Sequence, residues 1–213
     1  MSKTDFALTL PNHAQRLLLH SCCAPCSASI LERLVEADID VTVYFYNPNI
    51  QPQQEYLLRK EQNIRFAKKL GVTLIDGDYD AKTWLKRTKD LAHEPERGQR
   101  CTLCFDIRLE QTARFAHQHH FELFSSTLGI SRWKNLEQVH QCGEKAATAY
   151  PNLHYWSFNW RKKGGSQRMV ELAKQEHFYQ QQYCGCVYSL RDTNKWRKIK
   201  GLDVIDIGSE YYQ

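Results

Sequence analysis

The feature that most constrains the fold of this chain is its alternation of short, β-rich apolar runs with longer amphipathic stretches. Arg16-Leu-Leu-Leu-His20, Val41-Thr-Val-Tyr-Phe-Tyr46 and Val72-Thr-Leu-Ile75 read as strands, because apolar, β-branched and aromatic side chains suit a pleated, packed surface. Phe121 to Ser126 and His154 to Phe158 read as a fourth and a fifth. Between them lie helical patterns: Ser27 to Ala37, with Ile30, Leu31, Leu34 and Val35 on one face, and Gln53 to Leu70, stopped by Gly71. Asp80 to Leu91, Cys101 to His117 and Asn135 to Ala149 read the same way. Such alternation implies βαβ units, hence an α/β fold with an open, mostly parallel five-stranded sheet and flanking helices. No repeat or low-complexity linker interrupts it, so residues 1–213 read as a single domain. The region from about 161 to 213 reads as a helical C-terminal lobe over the site.

Ligands of open α/β sheets sit beyond the carboxyl ends of the strands. Here the first strand runs directly into Ser21-Cys-Cys-Ala-Pro-Cys26, where nucleotide-binding relatives of this architecture carry a glycine- or serine-rich phosphate loop. No glycine lies between Leu17 and Gly71. A phosphate cradle needs the close backbone approach that glycine gives, so sulfur ligation is expected at this turn and ATP use is not.

Seven of the eight cysteines fall into three groups: Cys22, Cys23 and Cys26; Cys101 and Cys104; Cys184 and Cys186. The start of the chain lacks a long apolar segment with a small-residue cleavage site, and no apolar run approaches the ~20 residues of a membrane helix. A cytoplasmic protein with no membrane partner is the expectation, and there clustered thiols are metal-binding or catalytic rather than structural disulfides. With 42% hydrophobic residues the chain builds its core without disulfides.

Three readings compete for Cys22, Cys23, Cys101 and Cys104. They suit a [4Fe–4S] cluster, since i and i+3 on a helix face one way and adjacent cysteines converge in a turn. They also suit zinc, although an adjacent pair departs from the usual two separated Cys-x-x-Cys pairs. The third reading is small buried hydrophobes with no ligand. Cys26 completes a Cys-x-x-Cys at a helix start, where the dipole lowers thiol pKa; it reads as a weaker ligand candidate, a redox partner or a packed residue. Asp106, two residues past Cys104, is a further weak candidate. Cys184-Gly-Cys186 is a poor staple but suits a two-electron switch, or a further ligand pair. Cys142 reads as helix packing.

The formal net charge is +5, unevenly spread. Lys82, Lys86, Arg87 and Lys89 form one basic stretch, Arg161 to Lys163 a second, and Lys195, Arg197, Lys198 and Lys200 a third. Trp84, Trp156, Phe158, Trp160 and Trp196 lie among them. Cations that hold phosphates and rings that stack on bases suit an RNA partner, whereas a solvated surface with inward aromatics is the plain alternative.

Leu17-Leu-Leu-His-Ser-Cys-Cys-Ala-Pro-Cys26, Tyr46-Asn-Pro-Asn-Ile50, Arg100-Cys-Thr-Leu-Cys-Phe105 with Arg108-Leu109, and Tyr183-Cys-Gly-Cys-Val-Tyr-Ser189 together resemble the epoxyqueuosine reductase QueH family. The likeness runs from about Leu17 to Trp196, with none of the family's cysteines missing. It implies a nucleotide-hydrolase-like, HUP-type sheet and a cytosolic enzyme of queuosine biosynthesis. That enzyme would convert epoxyqueuosine to queuosine at the wobble position of tRNAs with GUN anticodons (Asp, Asn, His, Tyr). The resemblance implies [4Fe–4S] ligation by Cys22, Cys23, Cys101 and Cys104, and a redox-active disulfide of Cys184 and Cys186. The cluster, or a second iron beside it, would act as Lewis acid on the epoxide oxygen, with electrons from an unidentified donor. Two alternatives stand beside it: a cluster-dependent tRNA sulfur transferase, which needs an ATP loop, and a zinc-stabilised RNA-binding module without visible-region absorbance.

Overall fold

In a computed structural model, residues 8–207 are described. The strands are β1 (Arg16–His20), β2 (Asp40–Phe45), β3 (Thr73–Asp76), β4 (Leu123–Ser126) and β5 (His154–Tyr155). They pair in parallel throughout, in the order β3-β2-β1-β4-β5. The helices are α1 (Ala24–Glu36), α2 (Gln53–Lys69), α3 (Ala81–Thr88), α4 (Gln99–Gln118), α5 (Leu136–Ala147), α6 (Gly165–Gln175) and α7 (Val187–Ile199). Central β1 is covered on both faces, and Leu17, Leu18 and Leu19 are all fully buried. Leu17 and Leu19 pack with Ile30, Leu31 and Leu34 of α1, whereas Leu18 packs with Leu109 and Ala113 of α4 and Val139 of α5. A continuous apolar run rather than an alternating one is what two-sided burial requires. Among the described residues, no helix is long and apolar enough to cross a membrane.

The order of the strands locates the site. The chain leaves β1 outward through β2 to β3, then returns through α3 and α4 to place β4 on the other side of β1. The carboxyl ends of β1 and β4 therefore diverge into connections on opposite sides, which opens a crevice at that switch point. Cys22 and Cys23 follow β1 at this crevice, and the Cys22 N–H donates to Thr127 Oγ1 just beyond β4 at 3.2 Å.

Several boundaries differ from the sequence expectation, and three of them have a plain physical cause. Helix α1 starts at Ala24, with Pro25 in its first turn, a position that suits proline's fixed φ and missing N–H; Cys26 thus lies inside the helix. Helix α4 starts at Gln99, because buried Arg100 ties the preceding loop down by donating to the Leu91 and Ala92 carbonyls. Strand β5 stops at Tyr155, three residues short: its last ladder bond is Trp156 N–H to Phe124 O at 2.8 Å, after which Trp156, Phe158 and Trp160 turn onto one another.

After β5 the chain forms α6, which packs on α1. At its start a methyl group on Gly165 would lie 1.9 Å from the Trp160 carbonyl oxygen. Backbone cannot yield as a flexible side chain does, so Gly165→Ala is expected to destabilise the fold by ~1–3 kcal/mol. A thermal melt checks this, and an unchanged midpoint would contradict the tight approach.

Candidate metal and redox centre

The turn after β1 is held by its backbone. Asn47 Nδ2 donates to the Ser21 carbonyl at 2.8 Å, and Ser21 Oγ donates to Asn63 Oδ1 at 2.6 Å. Ser27 Oγ reaches back to the Cys23 carbonyl at 2.9 Å. So anchored, adjacent Cys22 and Cys23 turn their sulfurs toward each other, 3.6 Å apart. Cys26 joins them, and the three sulfurs all lie within 4.8 Å of one another, the only such group of three or more His, Cys, Asp or Glu among the described residues. Hydrogen bonds from Cys23 and Cys26 hold the Cys22 thiol well below its ordinary value against the cost of burial, helped by Lys134 and Arg108. Donation to Cys22 in turn pushes Cys23 up to about 11 and raises Cys26. Of the three thiols, Cys22 is therefore the one that gives up its proton most readily.

Neighbouring groups are set to match. His20 is fully buried, and burial, then the Arg108 charge, lower its pKa to about 3. The neutral ring is fixed between the Ser126 hydroxyl at Nδ1, 2.9 Å, and the Tyr46 carbonyl at Nε2, 3.1 Å. Since a carbonyl only accepts, Nε2 carries the proton. Arg108 of α4 donates to Asn47 Oδ1, while its buried Nε has no hydrogen-bond partner.

Helix α4 presents Cys101 and Cys104 one turn apart. Cys101 packs against the cluster that holds Cys22 and Cys23; its sulfur accepts the Arg97 N–H at 3.2 Å, and burial pushes it up to about 11. Buried Cys104 shares an apolar cluster with Trp84, Ile107, Tyr188 and Cys186, and burial raises its pKa too. Both lie outside the tight triad. Asp106 takes another direction: two residues past Cys104 lies on a different helix face, and its Oδ2 pairs with Lys145 Nζ of α5 at 2.8 Å. Cys142 is buried in α5, as packing demands.

The third cysteine group is delivered by the loop that crosses back between α6 and α7. Its carbonyls are the handles: Arg59 Nη1 donates to Cys184 O at 3.0 Å, Arg59 Nη2 to Tyr183 O at 3.2 Å, and the Gln51 N–H to Gly185 O at 2.8 Å. The Cys184 N–H donates to Ser189 Oγ at 3.1 Å, and that hydroxyl donates to Glu96. Gly185 has φ +126° and would bring a Cβ to 3.0 Å from Arg59 Nη1, so glycine fits here on both counts. Arg59 is itself buried against Glu55, 2.6 Å away, and Tyr179 donates to the same carboxylate at 2.8 Å. The expected Cys184–Cys186 disulfide is not formed: both are free thiols, like every cysteine of the chain.

Between the triad and this loop lies a cavity of about 470 Å³. Cys22, Cys26, Arg59 and Arg108 line it from the sheet side, and Cys184, Ser189, Thr193 and Trp196 from the C-terminal side. Lys134 closes a third wall; burial works against its charge, but the sulfurs of Cys184, Cys22 and Cys26 outweigh that and hold the ammonium. The arrangement joins a cationic, sulfur-rich crevice to a thiol pair. Donor chemistry of this kind suits an iron–sulfur group, whose ligands are thiolates.

Sequence reasoning did not find Glu55, Arg59, Trp133, Lys134 or Thr127. Glu55 and Arg59 lie within the long helical pattern of α2, where no local signal marks their burial, and the others follow β4, whose place beside β1 no local pattern reveals. Trp84 and Trp160, grouped with possible base-stacking rings, are each 1% exposed and belong to the core.

A family model described as epoxyqueuosine reductase QueH matches residues 17–192. The epoxyqueuosine reductase QueH of Acinetobacter baylyi is 57% identical over 212 residues, which cover 100% of this chain and 97% of that protein. That of Haemophilus influenzae is 58% identical over 205 residues, 96% of this chain and 84% of the relative. The more distant protein of the same name from Thermotoga maritima is 35% identical over 177 residues, 82% and 90% of the two chains. The cysteine turn after β1, the Cys-x-x-Cys of α4 and the Cys-x-Cys before α7 all fall within the matched span, and the chain belongs to the epoxyqueuosine reductase QueH family.

Proposed function

We propose that this chain reduces epoxyqueuosine to queuosine at the wobble position of GUN-anticodon tRNAs, in the cytoplasm where those tRNAs work. The observation that carries the reading is the cavity with Cys22 and Cys26 of the cysteine triad on one wall and Cys184 on another. A [4Fe–4S] cluster bound by Cys22, Cys23, Cys101 and Cys104, with Cys26 at hand beside them for a second iron, would supply single electrons and a Lewis-acidic iron. The part of the C-terminal segment between residues 181 and 196 serves as the cover that brings the Cys184 loop over the crevice.

The protein's own groups account for the balance of the reaction. Removing the oxygen breaks both C–O bonds of the epoxide, forms the alkene and takes two electrons and two protons to release water. Oxidation of the Cys184 and Cys186 thiols to a disulfide yields two electrons and two protons, so the books close without a further co-reactant in the first turnover. An external electron donor then restores the dithiol. Lys134 and Arg108 surround the crevice with positive charge and steady the negative charge that develops on the departing oxygen.

Nucleoside mass spectrometry tests this directly. Anaerobically reconstituted, chemically reduced protein incubated with tRNA carrying epoxyqueuosine is expected to yield queuosine at more than one turnover per protein. No conversion by protein with a full complement of iron and sulfide would overturn the assignment.

A further inference from the structure

Tryptophan is rarely left in water, yet Trp133 is 68% exposed and Trp196 is 52% exposed. Both line the same cavity as Cys22, Cys26 and Cys184, and they reach it from opposite parts of the chain. Trp133 sits in the loop that follows β4 at the switch point, next to Lys134. Trp196 sits on α7, where Ser189, Thr193 and Trp196 recur at helical spacing along the face turned to the cavity.

The cavity's size decides what meets these rings. About 470 Å³ falls in the range of a small-molecule pocket, enough for one extruded nucleoside but not for a paired stem. An enzyme that works on one base takes it out of the stack, and its neighbours then lose their stacking partner at the rim. Exposed aromatic faces replace that partner irrespective of sequence. The surroundings carry the charge that a sugar–phosphate backbone needs. The Arg132 guanidinium lies 5.1 Å from the Trp133 ring centroid, and Arg97, exposed beside it, donates to the Arg132 and Trp133 carbonyls. On the other side, exposed Lys195, Lys198 and Lys200 flank Trp196. The one carboxylate lining the cavity, Glu96, accepts a hydrogen bond from Ser189.

We propose that Trp133 and Trp196 are stacking platforms for the unpaired nucleotides on either side of the one admitted to the cavity. The proposal rests on the reading of anticodon-loop RNA as substrate. It assigns Trp133 and Trp196 to substrate positioning and leaves the chemistry to the cysteines.

The test uses full-length, reconstituted protein and two readouts: steady-state kinetics on tRNA carrying epoxyqueuosine, and fluorescence-anisotropy binding of a labelled, unmodified tRNA transcript. Trp133→Ala and Trp196→Ala are each expected to weaken transcript binding roughly 5- to 100-fold. The kinetic loss falls in KM rather than in kcat, and the corresponding Trp→Phe variants recover much of it. Both side chains are solvated, so the alanine variants keep the parent's melting temperature. If the parent turns over while both alanine variants bind RNA within about twofold of it, too little for any lost stack, the platforms are wrong and the reductase reading stands. Loss of donor-driven turnover with RNA binding intact would likewise overturn the proposal, pointing to a protein surface. A parent that converts no epoxyqueuosine would remove the reductase reading and this one with it.

Discussion

Replacing Cys184 or Cys186 with serine is expected to abolish multiple turnover of epoxyqueuosine-bearing tRNA while leaving the iron content and visible absorbance of the reconstituted protein unchanged. The separation follows from how the loop is built. Its anchors are backbone groups: carbonyls of Tyr183, Cys184 and Gly185 accept from Arg59 and Gln51, and the Cys184 N–H donates to Ser189. None of these requires a sulfur, so the serine variants keep the loop where it is. The first triad, held by Asn47, Asn63 and Thr127, does not depend on the loop's thiols either. What serine removes is the capacity to hold two electrons as a disulfide. Multiple turnover retained by either variant would sink the dithiol role, and loss of absorbance would reassign these cysteines to metal binding. Cys104 lies in the same apolar cluster as Cys186, so that second outcome has a structural route.

Arg59→Met is the largest expected loss of stability from a single polar side chain. Arg59 and Glu55 have side chains only 3% and 0% exposed. Removing one member of such a pair leaves an uncompensated buried charge, which costs about 3–5 kcal/mol. For a domain of this size that corresponds to a fall in melting temperature of ~6–20 °C. Turnover falls as well, because two carbonyls that fix the Cys184 loop lose their donor. Adding Glu55→Gln to Arg59→Met removes the stranded charge and restores a large part of the stability, whereas the loop stays untethered and activity stays low. Differential scanning calorimetry on the two variants decides it. A single variant that melts within ~2 °C of the parent would show the pair to be worth little.

Legibility from sequence followed the locality of each signal. β1 and β2 were plain because two-sided burial forces near-continuous apolar residues, as at Leu17 to Leu19. β5 was over-read because its aromatics, Trp156 and Phe158, look like strand residues yet pack on each other beyond the ladder. The sheet order depends on where α3 and α4 carry the chain, which no short-range pattern encodes. With it went the residues after β4, including Trp133 and Lys134. The cysteine groups were legible as chemistry because close spacing needs an explanation of its own. Which sulfurs meet was not: Cys26 was ranked below Cys22 and Cys23, and the earlier start of α1 brings it beside them. Burial also makes Glu55 and Arg59, which no sequence pattern singles out, the anchor of the Cys184 loop.

The spread of the centre along the chain sets the order of its assembly. Its thiols come from residues 22 to 186, on three segments that meet only across the sheet's switch point. A chain emerging from the ribosome offers Cys22, Cys23 and Cys26 long before Cys184 and Cys186 exist, and the first group has no second wall until β4 has paired beside β1. A metal that needs thiols from all of these segments can be captured only once the chain has folded. Until the closing loop docks on Arg59, the early cysteines form an open sulfur surface, the stage at which oxidants and wrong metals have access to it.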